Sequence, residues 1–241
     1  KYILTFWDSL NPNSKGVFEL CFSQPQKSKP TKSWLEKAKD LVESLAEKEK
    51  ISQVLIAIFD SISTKNRNLI KYFNGLKYRD PNQSSWEMLM NGVKVELEVE
   101  LEKFQNEKHE WYLLEENENG VAYLTWFAAL LNDEKLNTSI IDLGISSFGK
   151  IRWHGNISTK IGNAALLAFT YMPEKQGVVG LLRVKNKSQN KNVLKLADNH
   201  LKRKAAELCL SEEALTELAA PDFGLNKNFK IIKTIENFEA V

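Results

Sequence analysis

Apolar and polar positions follow the helical period over most of the chain. Leu35, Ala38, Val42, Leu45 and Ala46 recur at helical spacing, while Glu36, Lys37, Lys39, Asp40 and Glu43 fill the opposite side. Ser33 and Glu36, with Pro30 just upstream, read as a capping box that starts this helix. A second helix is predicted from about Ile51 to Ile62, nearly all apolar in "VLIAIF" and therefore central. A third lies in "NRNLIKYFNG", closed by Asn74-Gly75 as a left-handed cap. In the carboxyl half, helices are predicted at about 120–131, 134–147, 158–171, 174–185, 190–209 and 211–219, the last N-capped by Ser211. Short connections make sequential helices antiparallel neighbours.

Two segments depart from this period. In residues 93–104, Val93, Val95, Leu97, Val99 and Leu101 alternate with charges, the strand period. Val93, Leu97, Leu101 and Phe104 equally make a helical stripe, and glutamate favours helix over strand, so helix is expected here. "VFELCF", residues 17–22, reads as a short strand or a single helical turn within an irregular opening segment, 1–30, packed through Phe6, Trp7, Phe18 and Phe22. The expected fold class is all-α: stacked antiparallel helices, as a HEAT-like α-solenoid or an irregular helical array. The expected organisation is one helical domain over 1–241, with N-terminal helices in 31–110, a helical region in 111–225 and a tail from 226 to 241. The chain opens on Lys1 rather than Met, so a piece of a longer protein is expected.

Composition supports this picture. Only 11 glycines and 6 prolines serve 241 residues, too few for the many turns of a multi-stranded fold. Hydrophobic residues at 43% and charged residues at 27% suit a chain that buries a core. No apolar run approaches the length of a membrane span, and no secretory leader pattern is present. Cys21 and Cys209 stand far apart without a CxxC motif, so two free, buried thiols in a reducing cytoplasm are expected.

The segment "STKIGNAALLAFTYM", residues 158–172, places a Gly-Asn pair inside an alanine-rich apolar run. Ile161, Ala164, Ala165, Ala168 and Phe169 fall on one side of a helix, and the small residues Gly162, Ala165 and Ala168 suit close helix packing rather than ligand approach. Asn163 is expected to satisfy a backbone group near the helix start. "GISSFGKI", residues 144–151, has the spacing of a phosphate-cradling loop through Gly144, Gly149 and Lys150. Ile151 stands where Ser or Thr would hold Mg²⁺, and no β–α alternation follows. A helix end with Gly144 as C-cap is the expectation, and a nucleotide-binding enzyme the weakest of three functional readings. His109, His154 and His200 form no H-x₃-H pair, so no metal site is expected. No catalytic residue and no cofactor is implied.

Four segments in order carry a family resemblance: "YLTWFAALL" (123–131), "STKIGNAALLAF" (158–169), "KLADNHLKRKAAELCLSEEALTEL" (195–218) and "APDFGL" (220–225). Over about residues 110–225 the chain resembles a bacterial domain of unknown function found in large proteins labelled molybdate metabolism regulators, often beside a WGR domain. The resemblance implies a HEAT-like helical region of a multidomain protein and supplies no catalytic residues. The leading functional expectation is therefore a noncatalytic scaffold that contacts a protein partner or other domains of its parent chain.

Charge gives the other functional signal. The net charge is only +2, but Arg183–Lys204 holds eight basic residues against Asp198 alone, whereas Lys94–Glu118 holds nine glutamates against three lysines. Lys187, Lys191, Lys195, Lys202 and Arg203 are the candidate contacts for an anion or a nucleic acid, and Lys191, Lys195 and Lys202 fall on one helical stripe with Arg203 turned about 100° away. Val193, Ala197, Leu201, Ala205 and Leu208 form the stripe expected to be buried, bordered by Lys204.

Overall fold

The computed structural model describes residues 10–25, 27–75, 115–151, 155–218, 233–235 and 238–240. Helices α1 (Pro12–Phe22), α2 (Lys32–Ser44) and α3 (Lys48–Gly75) come first. Helices α4 (Glu115–Leu131) and α5 (Glu134–Ser147) follow, then a small hairpin of β1 (Lys150–Ile151) and β2 (Gly155–Asn156). Helices α6 (Thr159–Ala168), α7 (Glu174–Lys187), α8 (Lys191–Leu208) and α9 (Glu212–Leu218) complete the helical part. A second hairpin, β3 (Lys233–Ile235) with β4 (Phe238–Ala240), pairs Thr234 with Glu239. The fold is all-α.

Polar side chains start most of these helices by accepting from amides that have no intrahelical partner. Asn11 accepts from Ser14 N, Thr31 from Trp34 N, Asp133 from Leu136 N and Ser158 from Ile161 N. Each such cap is worth about 1 kcal/mol. Ser211 caps α9 as expected, accepting from Ala214 N at 3.1 Å. Two helices end on non-glycine residues in the left-handed region, Asn132 after α4 and Cys209 after α8, both with positive φ.

Helix α4 lies at the centre. Every residue from Asn119 to Ala129 is buried, so the helix is covered on all sides. Thr125, the one polar interruption in its apolar run, donates its hydroxyl to Val121 O four residues back. Helices α1, α2 and α3 pack on α4, and α3 packs chiefly along α5. From α4 to α9, each helix packs on the next and on the one after it. Alternation of that kind builds a two-layer stack.

Several expectations are corrected. Residues 12–22 form a regular helix rather than a strand or single turn, started by Asn11 with Pro12 in its first turn. Phe18 is buried and Phe22 is 38% exposed, whereas Phe6 and Trp7 lie outside the described residues. Ser33 does not cap α2, because Thr31 does, and Ser33 sits inside the first turn. The predicted second and third helices are one continuous helix that runs through Gly75. Asn66, where the third was expected to begin, is buried instead: its Nδ2 donates to Ser146 Oγ and Ser147 Oγ of α5 at 3.3 and 3.4 Å. Helix α3 buries one face only, so α4 takes the central place foreseen for it. The 226–241 tail contains the β3–β4 hairpin, and residues 93–104 lie outside the described residues.

Glycine and alanine allow the later helices to approach closely. A Cβ on Gly162 would sit 2.6 Å from Cε1 of Phe148, so this glycine makes room for a ring from the end of α5. The expected packing role holds, although the neighbour is a side chain rather than a backbone. Ala165 meets Gly144 of α5, where an added Cβ would lie 2.9 Å away. Asn163 is exposed, and Ser158 rather than Asn163 serves the start of α6.

Gly177 and Gly16 give a matched stability test. A Cβ on Gly177 would collide with the carbonyl oxygen of Phe169, which is backbone and cannot swing aside. Gly16, inside α1, has nothing within 4 Å. Gly177→Ala is expected to lower unfolding stability by about 1–3 kcal/mol through overpacking. Gly16→Ala should raise it by about 0.5–1 kcal/mol through helix propensity. Urea denaturation midpoints of the two variants check both signs.

Candidate functional site

The candidate surface is the outer side of α8 with the turn that leads into it. Asn190 caps the helix, its side chain accepting from Asn192 N at 3.0 Å, and its Nδ2 donates to Asn156 Oδ1 of β2 at 3.4 Å. Ser188 Oγ accepts from Asn190 N. The turn between Lys187 and Lys191 is thereby ordered and tied to the first hairpin.

The inward side of α8 matches the predicted stripe. Val193, Ala197, Leu201 and Ala205 are buried and Leu208 is half-buried. Lys204 joins them at 7% exposure, its ammonium donating to Thr170 O and Met172 O at 3.3 Å each. These carbonyls belong to the turn between α6 and α7, so Lys204 fastens α8 to that turn. The helical position of Lys204 beside the stripe was a visible signal. Its acceptors, more than thirty positions earlier in sequence, were not.

All five predicted contact residues, Lys187, Lys191, Lys195, Lys202 and Arg203, are exposed. The structure does not bring all five to one stripe. Lys191, Lys195 and Lys202 fall within an arc of about 40° on α8, because spacings of four and eleven residues nearly complete whole turns. Arg203 is turned about 100° from Lys202 and pairs with Glu207 at 3.5 Å. Lys187 ends α7, on the other side of the turn. Asp198, the acidic exception in this basic segment, is paired with Lys185 of α7 at 2.6 Å. Among the described residues, no side chain pairs with Lys191, Lys195 or Lys202. The first turn of α8 also lacks an acidic residue, so Lys191 adds to the positive end of the helix dipole.

The phosphate-loop spacing does not form a phosphate cradle. Gly144 is interior to α5 rather than its C-cap, and the cap is Phe148. The amides of Phe148 and Gly149 donate to Gly144 O and Ser146 O, so they are not directed at a ligand. Gly149 lies against Ile70 of α3, and Lys150 begins a strand instead of a helix.

Other reactive groups are placed structurally. Cys21 is buried, and desolvation raises its thiol pKa well above the usual value, which makes it unreactive. Cys209 is exposed, contrary to the expectation of two buried thiols, because it occupies the left-handed cap of α8. Both are free. Among the described residues no group of His, Cys, Asp and Glu could hold a metal. His109 and His154 lie outside the described residues. An open groove of about 370 Å³ between α2, the end of α4 and the α6–α7 turn is lined by residues including Lys39, Glu43, Asn132 and Tyr171. Its two charges are of opposite sign. Among the described residues no helix is long and apolar enough to cross a membrane.

Two predictions concern α8. Lys204→Ala removes the donor from two carbonyls and should cost about 1–3 kcal/mol, whereas Lys202→Ala should stay within about 0.5 kcal/mol. Thermal unfolding of both variants checks the contrast. His200 is half-buried, and its pKa is lowered from 6.5 first by burial and then by the nearby Arg203. The unfolded chain therefore takes up a proton at a higher pH than the folded one. Stability on this account is complete above the unfolded value and is lost as pH falls below about 6.5. His200→Gln should flatten the dependence of the melting temperature on pH between about 7 and about 5.5.

No family model matches the chain, and neither a curated protein nor a solved structure is similar to it, so its functional reading rests on the geometry above.

Proposed function

We propose that the chain is a noncatalytic helical interaction scaffold, part of a bacterial regulatory protein of the molybdate metabolism regulator-like kind. It works in the cytoplasm by contacting a protein partner or the other domains of its parent chain. The observation that carries this reading is where its chemically capable groups go. Asn66 of α3 donates to Ser146 and Ser147 of α5. The indole nitrogen of Trp126 donates to Ala164 O at 3.1 Å, and Lys204 is spent on two carbonyls. Interior polar groups thus hold helices together, and exposed chemistry is concentrated on the surface of the stack. From α4 to α9, the contacts of each helix with its next and next-but-one neighbours support a HEAT-like arrangement.

A second reading, a nucleic-acid-binding module, is favoured by the exposed lysine row of α8. The nucleotide-binding reading lacks a corresponding observation, since the amides following Gly144 are consumed within the α5 terminus. Calorimetric titration of the chain with ATP and Mg²⁺ is expected to give no saturable heat. Saturable heat that Lys150→Ala abolishes would overturn the noncatalytic reading.

A further inference from the structure

We propose that the Lys191–Lys195–Lys202 row of α8 is a contact surface for the phosphate backbone of duplex nucleic acid. The proposal rests on the second reading above and names the form of nucleic acid and the residues that meet it. Three observations lead to it.

The first is charge left over after folding. Each carboxylate on α8 is engaged, Asp198 by Lys185 and Glu207 by Arg203, and Lys204 is turned inward onto carbonyls. Among the described residues, the charge of the outer side is therefore that of Lys191, Lys195 and Lys202, strengthened at one end by the helix dipole.

The second is the chemistry of that side. Asn192 and Asn199 are exposed beside the lysines, whereas Leu194 and Leu196 are half-buried toward the flanks. Lysine is depleted in the cores of protein interfaces, where aromatic residues, methionine and arginine are enriched. None of the exposed residues of α8 is aromatic or methionine. A surface of lysine and asparagine lacks the apolar anchor a protein partner would need. It does carry both kinds of donor that phosphate oxygens accept from. Without aromatic platforms it also lacks the means to stack unpaired bases, which favours a duplex over a single strand.

The third is spacing. Lys191 and Lys195 are about 6 Å apart along the axis, and Lys195 and Lys202 about 10 Å. The row thus spreads three positive charges over about 16 Å, a length over which a duplex carries about nine phosphate charges.

Fluorescence anisotropy of the 241-residue chain with a labelled mixed-sequence DNA duplex tests the proposal. Three phosphate contacts predict a log–log salt slope of about −2.7, an affinity loss of about 40-fold between about 50 and 200 mM salt. Lys195→Glu with Lys202→Glu should reduce that loss to about 4-fold and weaken binding at every salt concentration. Lys195→Gln with Lys202→Gln should give the same lowered slope without charge reversal, and circular dichroism should show both variants folded. Absence of binding at about 50 mM salt, or an unchanged slope in the folded variants, would overturn the proposal. So would displacement of the duplex by polyglutamate at equal charge, which would assign the row to an acidic protein, or stronger binding of a single strand of equal length. The noncatalytic reading fails by a separate result, saturable nucleotide heat, so the two outcomes are distinguishable.

Discussion

The burial of α4 is the constraint on which the rest depends. A helix covered on all sides needs partners that approach closely and that answer every polar group it brings inside. Trp126 and Tyr123 show how both requirements are met. Their rings pack edge to face at 4.8 Å, and Trp34 of α2 packs edgewise on each, at 6.3 and 5.0 Å. The indole N–H of Trp126 then reaches Ala164 O, fixing where α6 crosses. On the other side, Asn119 Nδ2 donates to Gln24 O and the Tyr123 hydroxyl to Pro25 O. The connection between α1 and α2 is thereby held to the same helix. A single buried helix sets the positions of α1, α2 and α6 through hydrogen bonds as well as through area.

From α6 onward the stack is extended by rings placed over glycines. Phe148 lies over Gly162, and Phe169 lies over Gly180 while its carbonyl faces Gly177. Such contacts fix the distance between helices tightly, since a single added methyl group has nowhere to go. They also bring the α6–α7 turn to where Lys204 can reach it. Once Lys204 and the Val193–Ala205 stripe face inward, helical geometry sends Lys191, Lys195 and Lys202 outward. The orientation of the candidate surface is thus a consequence of core packing two helices away.

Much of this was legible in the sequence, and what was not has a common cause. Periodicity located α5 at its observed bounds and the buried stripe of α8, because these depend on a local pattern of apolar residues. It divided α3 in two, because the polar residues up to Asn66 look like a break unless Ser146 and Ser147 are known to face Asn66. It took residues 17–22 for a possible strand, because the cap at Asn11 that begins the helix lies in a turn-like sequence. The five candidate contact residues were all found on the surface, and the helical period alone sets Lys191, Lys195 and Lys202 on one stripe. Arg203 is separated by its helical angle and its partner Glu207, which a local reading can supply. The inward role of Lys204 depends on residues far away in sequence, which it cannot.

The basic segment therefore divides into cations that the fold accounts for and cations that it does not. Lys204 holds a turn, Lys185 ties α7 to α8 through Asp198, and Arg203 pairs along its own helix. Removing any of these would change internal contacts. Lys191, Lys195 and Lys202 contribute no described contact of this kind, and their mutual proximity is mildly unfavourable to the folded chain. Lys191 is additionally placed at the helix end where the dipole disfavours a positive charge. Among the described residues no contact accounts for this row of like charges, which a helix held in place by its inner side aligns. That asymmetry between α8's inner and outer lysines is the ground on which the row, rather than the whole basic segment, is proposed as a surface for a polyanion.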